Sequence, residues 1–567
     1  MPGPGGFSSL RRLAPRAWLL SAALVSCQRD SGRGAAAESG KAGGTVVVSV
    51  PADVETLFPP FALANQSKLA IDLLFDRLSE IGDSLNTIGD AGFRPQLADR
   101  WTWASDSLSI AFHLNPQARW HDGVPVRASD VRFTYEMYRD SVVGADVRSQ
   151  LSTIDSVTVR DSLTAVFWFS RRDPEQFFNA TYQMYICPAH LLDRIPPANL
   201  RSADFGRHPV GSGRFRFMSW TPGASVDFVS DTANYRGRAQ LDRVILSVAP
   251  DFTTAVARLF SGEADFYQVL LPENIAELAR HPSLRAVPYT DPSYGFLWFN
   301  LRDRRAARPH PVLGDRRVRR ALGMALDRAR MLQNVFDSLA VVPKGPFYRS
   351  AAFADSAVTP LPYDTAAASR LLDSAGWMRG PDGARRKGNR PLALSLVVPT
   401  SSKTRLRYAQ LIQDQLARIG VAVSIEAIEF GAFKQRIQTH DFDATISVWV
   451  LDPSPSGLRQ SWETAGETGG VNWGSYSNPV FDAAVDSALA ALDPARRRFY
   501  LRRAFQTITD DAPAVWLYEP RQVAGVHRRV QLRYLRPDAW WAHLADWTIA
   551  PSERIARDHI GLGPGAR

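Results

Sequence analysis

Leu392-Ala393-Leu394-Ser395-Leu396-Val397-Val398 is an apolar run with the length and β-branched content of a buried strand. Residues Thr404 to Ile419 follow with helical spacing, and then comes a second strand-like run, Val421-Ala422-Val423-Ser424-Ile425-Glu426-Ala427-Ile428. A helical stretch over 431–439 and a third run, Asp443-Ala444-Thr445-Ile446-Ser447-Val448-Trp449-Val450, complete the pattern. Strand alternating with helix is the signature of crossover units and a parallel sheet, so this part of the chain predicts an α/β lobe. Gly420 stands where a helix needs a residue in the left-handed region, and Gly376 repeats the device after a helix at 364–375 that Asp364 caps. A longer helix is expected over 315–338.

Upstream the pattern changes. Gly44-Thr45-Val46-Val47-Val48-Ser49-Val50 reads as a buried strand broken by Pro59-Pro60. Leu69, Leu73, Leu74, Leu78 and Ile81 recur at helical spacing, which predicts a helix over 69–81. Short strands at 101–103 and 108–114, a turn at Asp122-Gly123, a helix over 129–139 and strands within 153–170 follow. Gly211-Ser212-Gly213 reads as a turn leading into a strand meander up to 248, and Asp251 caps a helix that ends near Gly262. This front half is strand-rich α+β.

At 567 residues the chain needs two or three domains, and its 45% apolar and 22% charged composition is ordinary for a globular protein. The formal charge of +10 comes from scattered arginines, without the basic–aromatic interleaving of a nucleic-acid module, so no nucleic-acid partner is expected. Arg11, Arg12 and Arg16 precede an apolar stretch from Ala17 to Val25 that is too short to span a bilayer and reads as a signal segment. It ends in Leu24-Val25-Ser26-Cys27, which resembles the bacterial lipoprotein box, and residues 28–44 have the composition of a flexible tether. The alternative is an ordinary cleaved signal in which Cys27 is incidental. Cys187 is the only other cysteine, so the body has neither an internal disulfide nor a thiolate metal site.

Several segments, in order, resemble the extracellular solute-binding proteins of the peptide and nickel ABC importer class. They are Pro95-Gln96-Leu97-Ala98-Asp99-Arg100-Trp101; Arg119-Trp120-His121-Asp122-Gly123-Val124-Pro125-Val126 with Ala128-Ser129-Asp130-Val131; Gly211-Ser212-Gly213-Arg214-Phe215; Gly262-Glu263-Ala264-Asp265; and Arg316-Arg317-Val318-Arg319-Arg320-Ala321-Leu322. Physically these pieces are mostly structural: Trp120 as a core plug, Asp130 at the third position of a helix whose cap is the non-capping Arg127. His121 is a lone histidine in a turn, and no metal or other cofactor is expected.

The resemblance implies a bilobed, periplasmic-binding-protein-like clamshell, α/β with an α+β insertion as an extra domain. One lobe would comprise 44–60, 190–288 and 519–567, an inserted domain 61–189, and the α/β lobe 289–518, with a signal peptide over 1–26 and a tether over 27–43. Two crossings of a hinge, near 190 and 519, would let the lobes close on a ligand. The implied partners are a peptide ligand, the permease subunits of an ABC importer, and the membrane through a lipid on Cys27, with the exported protein a monomer on the periplasmic or cell-surface side.

In peptide-binding members the aspartate that pairs with the ligand's α-ammonium maps onto Asp452, three residues after Trp449. Without the resemblance Asp452-Pro453 is turn chemistry. Trp449 and Val450 would offer main-chain groups to an extended peptide. Asp53 after the first strand, Trp298 and Asn300 on an aromatic strand, Phe430 as a pocket wall and Tyr518 at the end of an apolar strand are further ligand-binding candidates, for each of which core packing is an equal account. The loop Pro453-Ser454-Pro455-Ser456-Gly457 departs from the family pattern, which leaves the ligand class open: a nickel chelate, haem, an oligosaccharide or an opine-like solute are alternatives. No nucleophile elbow, phosphate loop or metalloprotease helix is present, so no enzyme is expected; a secreted hydrolase on this scaffold is the enzyme-class alternative.

Overall fold

The computed structural model describes residues 42–62, 64–304 and 308–559. The expected signal segment and Cys27 lie outside these residues. Twelve strands form the main sheet: β1 (Thr45–Val50), β2 (Phe215–Thr221), β3 (Ser225–Ser230), β4 (Arg243–Val248), β5 (Phe266–Tyr267), β6 (Leu284–Thr290), β7 (Ser293–Phe299), β8 (Ala340–Val341), β9 (Ala393–Pro399), β10 (Ala422–Ile428), β11 (Ala444–Val450) and β12 (Ala514–His527). Their order is β10-β9-β11-β7-β12-β5-β1-β4-β3-β2, with β6 and β8 also paired to β12.

The β-branched run of β1 is buried along its whole length, as a strand flanked on both edges and covered on both faces must be. It lies parallel to β4 and β5. Its start is clamped by buried charge. Asp265 accepts from Val47 N at 2.9 Å and from Arg529 Nε and Nη2 at 2.8 and 3.0 Å. Arg529 also donates to Thr45 O at 2.8 Å and to Asp558 at 2.8 Å, and Asp558 accepts from Thr45 N at 2.7 Å.

The α/β alternation read from 392 to 450 is present: β9 pairs in parallel with β10 and with the start of β11, joined by helices Lys403–Arg418 and Phe430–Gln438. Gly376 and Gly420 take the left-handed conformation their helix ends require.

β12 joins the two parts of the sheet. Its first residues, Ala514 to Tyr518, pair with β7, and Arg521 to His527 pair with β6, so β6 and β7 lie end to end along one strand. The chain therefore passes between the two parts at 291–292 and at 519–520. The crossing expected near 190 is not there: His190 belongs to the short helix Ala189–Leu192, whose Ala189 N donates to Asp130 at 3.0 Å. Nor does Tyr518 end a strand, since β12 runs nine residues further. The buried apolar side chains follow the same division. One cluster joins β1–β4 to the helices and strands of residues 54–205 and to residues 524–549, and two clusters cover the opposite faces of β7 and β11.

Two helix predictions fail for identifiable reasons. The helix expected over 69–81 spans Asn65–Leu74, and Ser79–Ile81 is a strand. Its end is fixed by Gly213, whose N–H bonds Leu74 O at 2.8 Å; a Cβ on Gly211 would sit 1.8 Å from that same oxygen. Gly211-Ser212-Gly213 is thus a place of close backbone approach rather than a positive-φ turn. The helix expected over 315–338 is two, Arg316–Met324 and Arg328–Phe336, because Asp327 caps the second by accepting from Arg330 N. His121, a lone histidine in the turn, spends both ring nitrogens on this glycine segment, with Gly211 N at 3.2 Å and Gly213 O at 2.9 Å, and burial pushes its pKa down to about 4.

Candidate ligand-binding site

A cavity of about 530 Å³ opens where β11 leaves the sheet. Its floor is aromatic. On β7 the even residues Tyr294, Phe296 and Trp298 point to one face, where Trp449, Trp462 and Trp516 pack on them. Trp449 lies 4.9 Å from both the Phe296 and Trp462 rings, in tilted and edge contacts of the kind aromatic quadrupoles favour. Tyr294, Trp449 and Trp462 reach the cavity, and Trp298 is one layer behind it.

The geometry of β11 matters most. On one edge it pairs with β7 throughout, from Ser293↔Val450 to Phe299↔Ala444. On the other, β9 pairs only with Ala444 and Thr445. Among the described residues no strand covers Ile446 to Val450 on that edge, which borders the cavity, and Val450 is 73% exposed. Just beyond, Leu451 N is tied to Pro292 O at 2.7 Å, which brings the strand's exit against the crossing segment at 291–292.

Asp452 follows. It is open to the cavity, yet protein surrounds its carboxylate closely, and burial together with the charge of Asp538 pushes its pKa up while Lys68 opposes this. It does not act as a cap or turn acceptor: among the described residues nothing donates a hydrogen bond to it. Phe430 and Phe433, stacked 6.1 Å apart at the start of their helix, form a side wall with Arg405 and Lys434. Arg405 lies 5.6 Å over the Phe433 ring, no carboxylate among the described residues pairs with it, and burial lowers its pKa. Phe178, Asn179 and Gln183 close the cavity from the far side.

Asp452, Trp449, Val450 and Phe430 therefore share one cavity. The other four candidates have occupations elsewhere. Asp53 accepts from Trp220 Nε1, Gly223 N and its neighbour Val54 N, which fixes a surface turn. Asn300 donates to His440 O and Phe442 O, and Trp298 is core. Tyr518 is buried between Phe336 and Tyr408, over Gly295, where a Cβ would strike its ring. Sequence reasoning passed over Arg405, Lys434 and the residues from 178 to 183, which stand in no motif.

Residues 92–470 match the sequence profile of the bacterial extracellular solute-binding proteins, family 5 Middle. The chain is 25% identical over 540 residues to the oligopeptide-binding protein AppA of Bacillus subtilis, covering 94% of this chain and 96% of the relative. The structure of that AppA in complex with a nonapeptide is similar with a TM-score of 0.72 at 23% identity, covering 90% of this chain and 99% of the other. NikZ of Campylobacter jejuni in complex with Ni(L-His) gives 0.72 at 21% identity, covering 89% and 99%. The fold is the bilobed α/β architecture of periplasmic binding proteins. With a profile match over most of its length, the chain belongs to the bacterial extracellular solute-binding proteins of family 5, a class of binders rather than enzymes.

Proposed function

We propose that this protein is the receptor of an ABC importer and captures peptides in the cavity at the end of β11. The observation that carries the reading is the bare edge of Ile446–Val450 beside the hydrogen-bond-free carboxylate of Asp452. An extended peptide adds a strand to such an edge, and its ammonium pairs with the carboxylate. Arg405 and Lys434, cations on the cavity wall that no carboxylate among the described residues pairs with, are complementary to a ligand carboxylate. A nickel chelate, a haem or an oligosaccharide has no main chain to pair with a strand edge.

The lobes are 44–60 with 190–288 and 519–567, and 289–518; residues 61–189 are the insertion. Strand pairing supports the two bounds between the lobes, because the passage at 519–520 falls on one and that at 291–292 lies three residues past the other. Ligand contacts made only when the lobes approach favour the closed form, since equal affinity for both forms shifts nothing. Small-angle scattering of the protein with casein hydrolysate should show a smaller radius of gyration than without it. Proven binding with an unchanged radius would sink the clamshell mechanism.

Cys27 carries the lipid anchor in this reading. Cys27→Ser should move the protein from the membrane fraction to the soluble one, with signal cleavage followed in parallel to separate unprocessed precursor. Unchanged maturation and membrane association would refute the anchor.

A further inference from the structure

Glu175 precedes the short helix Gln176–Thr181 on the inserted side of the cavity, and it is buried. Its Oε1 accepts from Thr87 Oγ1 on its own side. Its Oε2 accepts at 2.6 Å from the Oγ of Ser454, a cavity-lining residue two beyond Asp452. Ser454 Oγ in turn accepts from Ser456 N at 3.0 Å, so the carboxylate holds the loop that carries the anchor. Ser454 is one of the residues at which the loop departs from the family pattern.

Arg497, on helix Pro494–Asp511, completes the group. It is buried, its Nη2 lies 3.6 Å from Glu175 Oε1, and among the described residues neither terminal nitrogen has a hydrogen-bond partner. Asp173 is the other acid whose charge it feels. Two buried guanidinium nitrogens without hydrogen bonds are costly, and 3.6 Å exceeds the roughly 2.7–2.9 Å of a charge-assisted bond. An approach of less than about one ångström would complete it. That gain is absent when the two sides part, so it weights the equilibrium toward the closed form.

We infer that Glu175 is a positioning residue that latches the insertion to the opposing lobe through Ser454 and Arg497, and so sets how long the closed cavity holds its ligand. The inference rests on the clamshell reading above. Its test compares the wild type with Ser454→Ala, Glu175→Gln and the charge-free pair Glu175→Gln/Arg497→Met; the pair avoids a lone buried cation that would endanger folding. Spin labels at Val142→Cys and Phe499→Cys, both exposed and on opposite sides, report the separation in a Cys27→Ser background. The expected result is a wild-type-like melt for the pair, a ligand-free distance distribution shifted to longer values, and release of casein-hydrolysate peptides about tenfold faster at an unchanged association rate. A folded pair variant with wild-type distances and release overturns the latch. If the wild type binds no peptide, the receptor reading fails, and the distances alone decide: a shift upholds the latch and no shift overturns it.

Discussion

Replacing Asp452 with alanine should weaken peptide binding by roughly 30-fold to several thousand-fold while leaving the melting temperature close to that of the wild type. The range follows from the cost of stranding one member of a buried charge pair, about 2–5 kcal/mol. Stability should not fall because the carboxylate takes no hydrogen bond from the described residues; a capping aspartate would show the reverse, about 1 kcal/mol of lost stability and near-normal affinity. Asp452→Asn should fall between, keeping acceptors but losing the charge. The pH dependence has a definite sign. Burial and Asp538 raise the Asp452 pKa, so the neutral form persists to higher pH than in an ordinary aspartate. Ammonium binding needs the ionised form, so affinity should fall with acidification, beginning above the ordinary carboxylate range. The carboxylate's ionisation works against the empty fold, whose stability declines as pH rises through the raised value. Calorimetric titration of free and N-acetylated peptides checks the whole argument, and equal affinities for the two would exclude an ammonium anchor.

Asp265→Ala should be among the most destabilising single changes outside the cavity. The side chain is fully buried and serves Val47 N, Arg529 and Arg557 at once. Its removal leaves Arg529, itself buried, with Asp558 as its remaining acid partner among the described residues and strips an acceptor from β1; breaking a buried pair in this way costs about 3–5 kcal/mol. Asp265→Asn should cost less, since it keeps an acceptor for Val47 N. Denaturant titration measures the loss, and peptide affinity of the folded fraction should stay normal. A wild-type midpoint for Asp265→Ala would show that Arg529 and Asp558 alone secure the first strand.

How far these features were legible depends on the distance over which their causes act. The strands and helices from 392 to 450 were readable because spacing and caps are local: Asp251, Asp364, Gly376 and Gly420 do what their types suggest. The helix at 65–74 was overrun because its stop, Gly213, lies far along the chain. Asp265 was visible as part of a motif, but its reason was not, since its partners are 218 and 264 residues away. In the site, alternation placed Tyr294, Phe296 and Trp298 on one face, yet a strand buried on both faces does not say which ring meets the cavity. Asp452 came from resemblance, and that no described residue donates a hydrogen bond to it is visible only in three dimensions. Glu175 had no sequence signal at all, because Ser454 is 279 residues distant.

One late strand, β12, is the spine of both halves, and this has a bearing on how the chain reaches its shape. Until residues 514–527 exist, β7, β6 and β5 all lack a neighbour, and β1 lacks the arginine and aspartate that clamp it from 529 and 558. Pairings separated by so much chain close slowly and leave open edges while they wait. A nascent chain of this design has no early half that can finish by itself. It stays threadable through a narrow passage until its last tenth is made, and a truncation just short of Ala514 should yield not one intact lobe but a chain that aggregates as a whole.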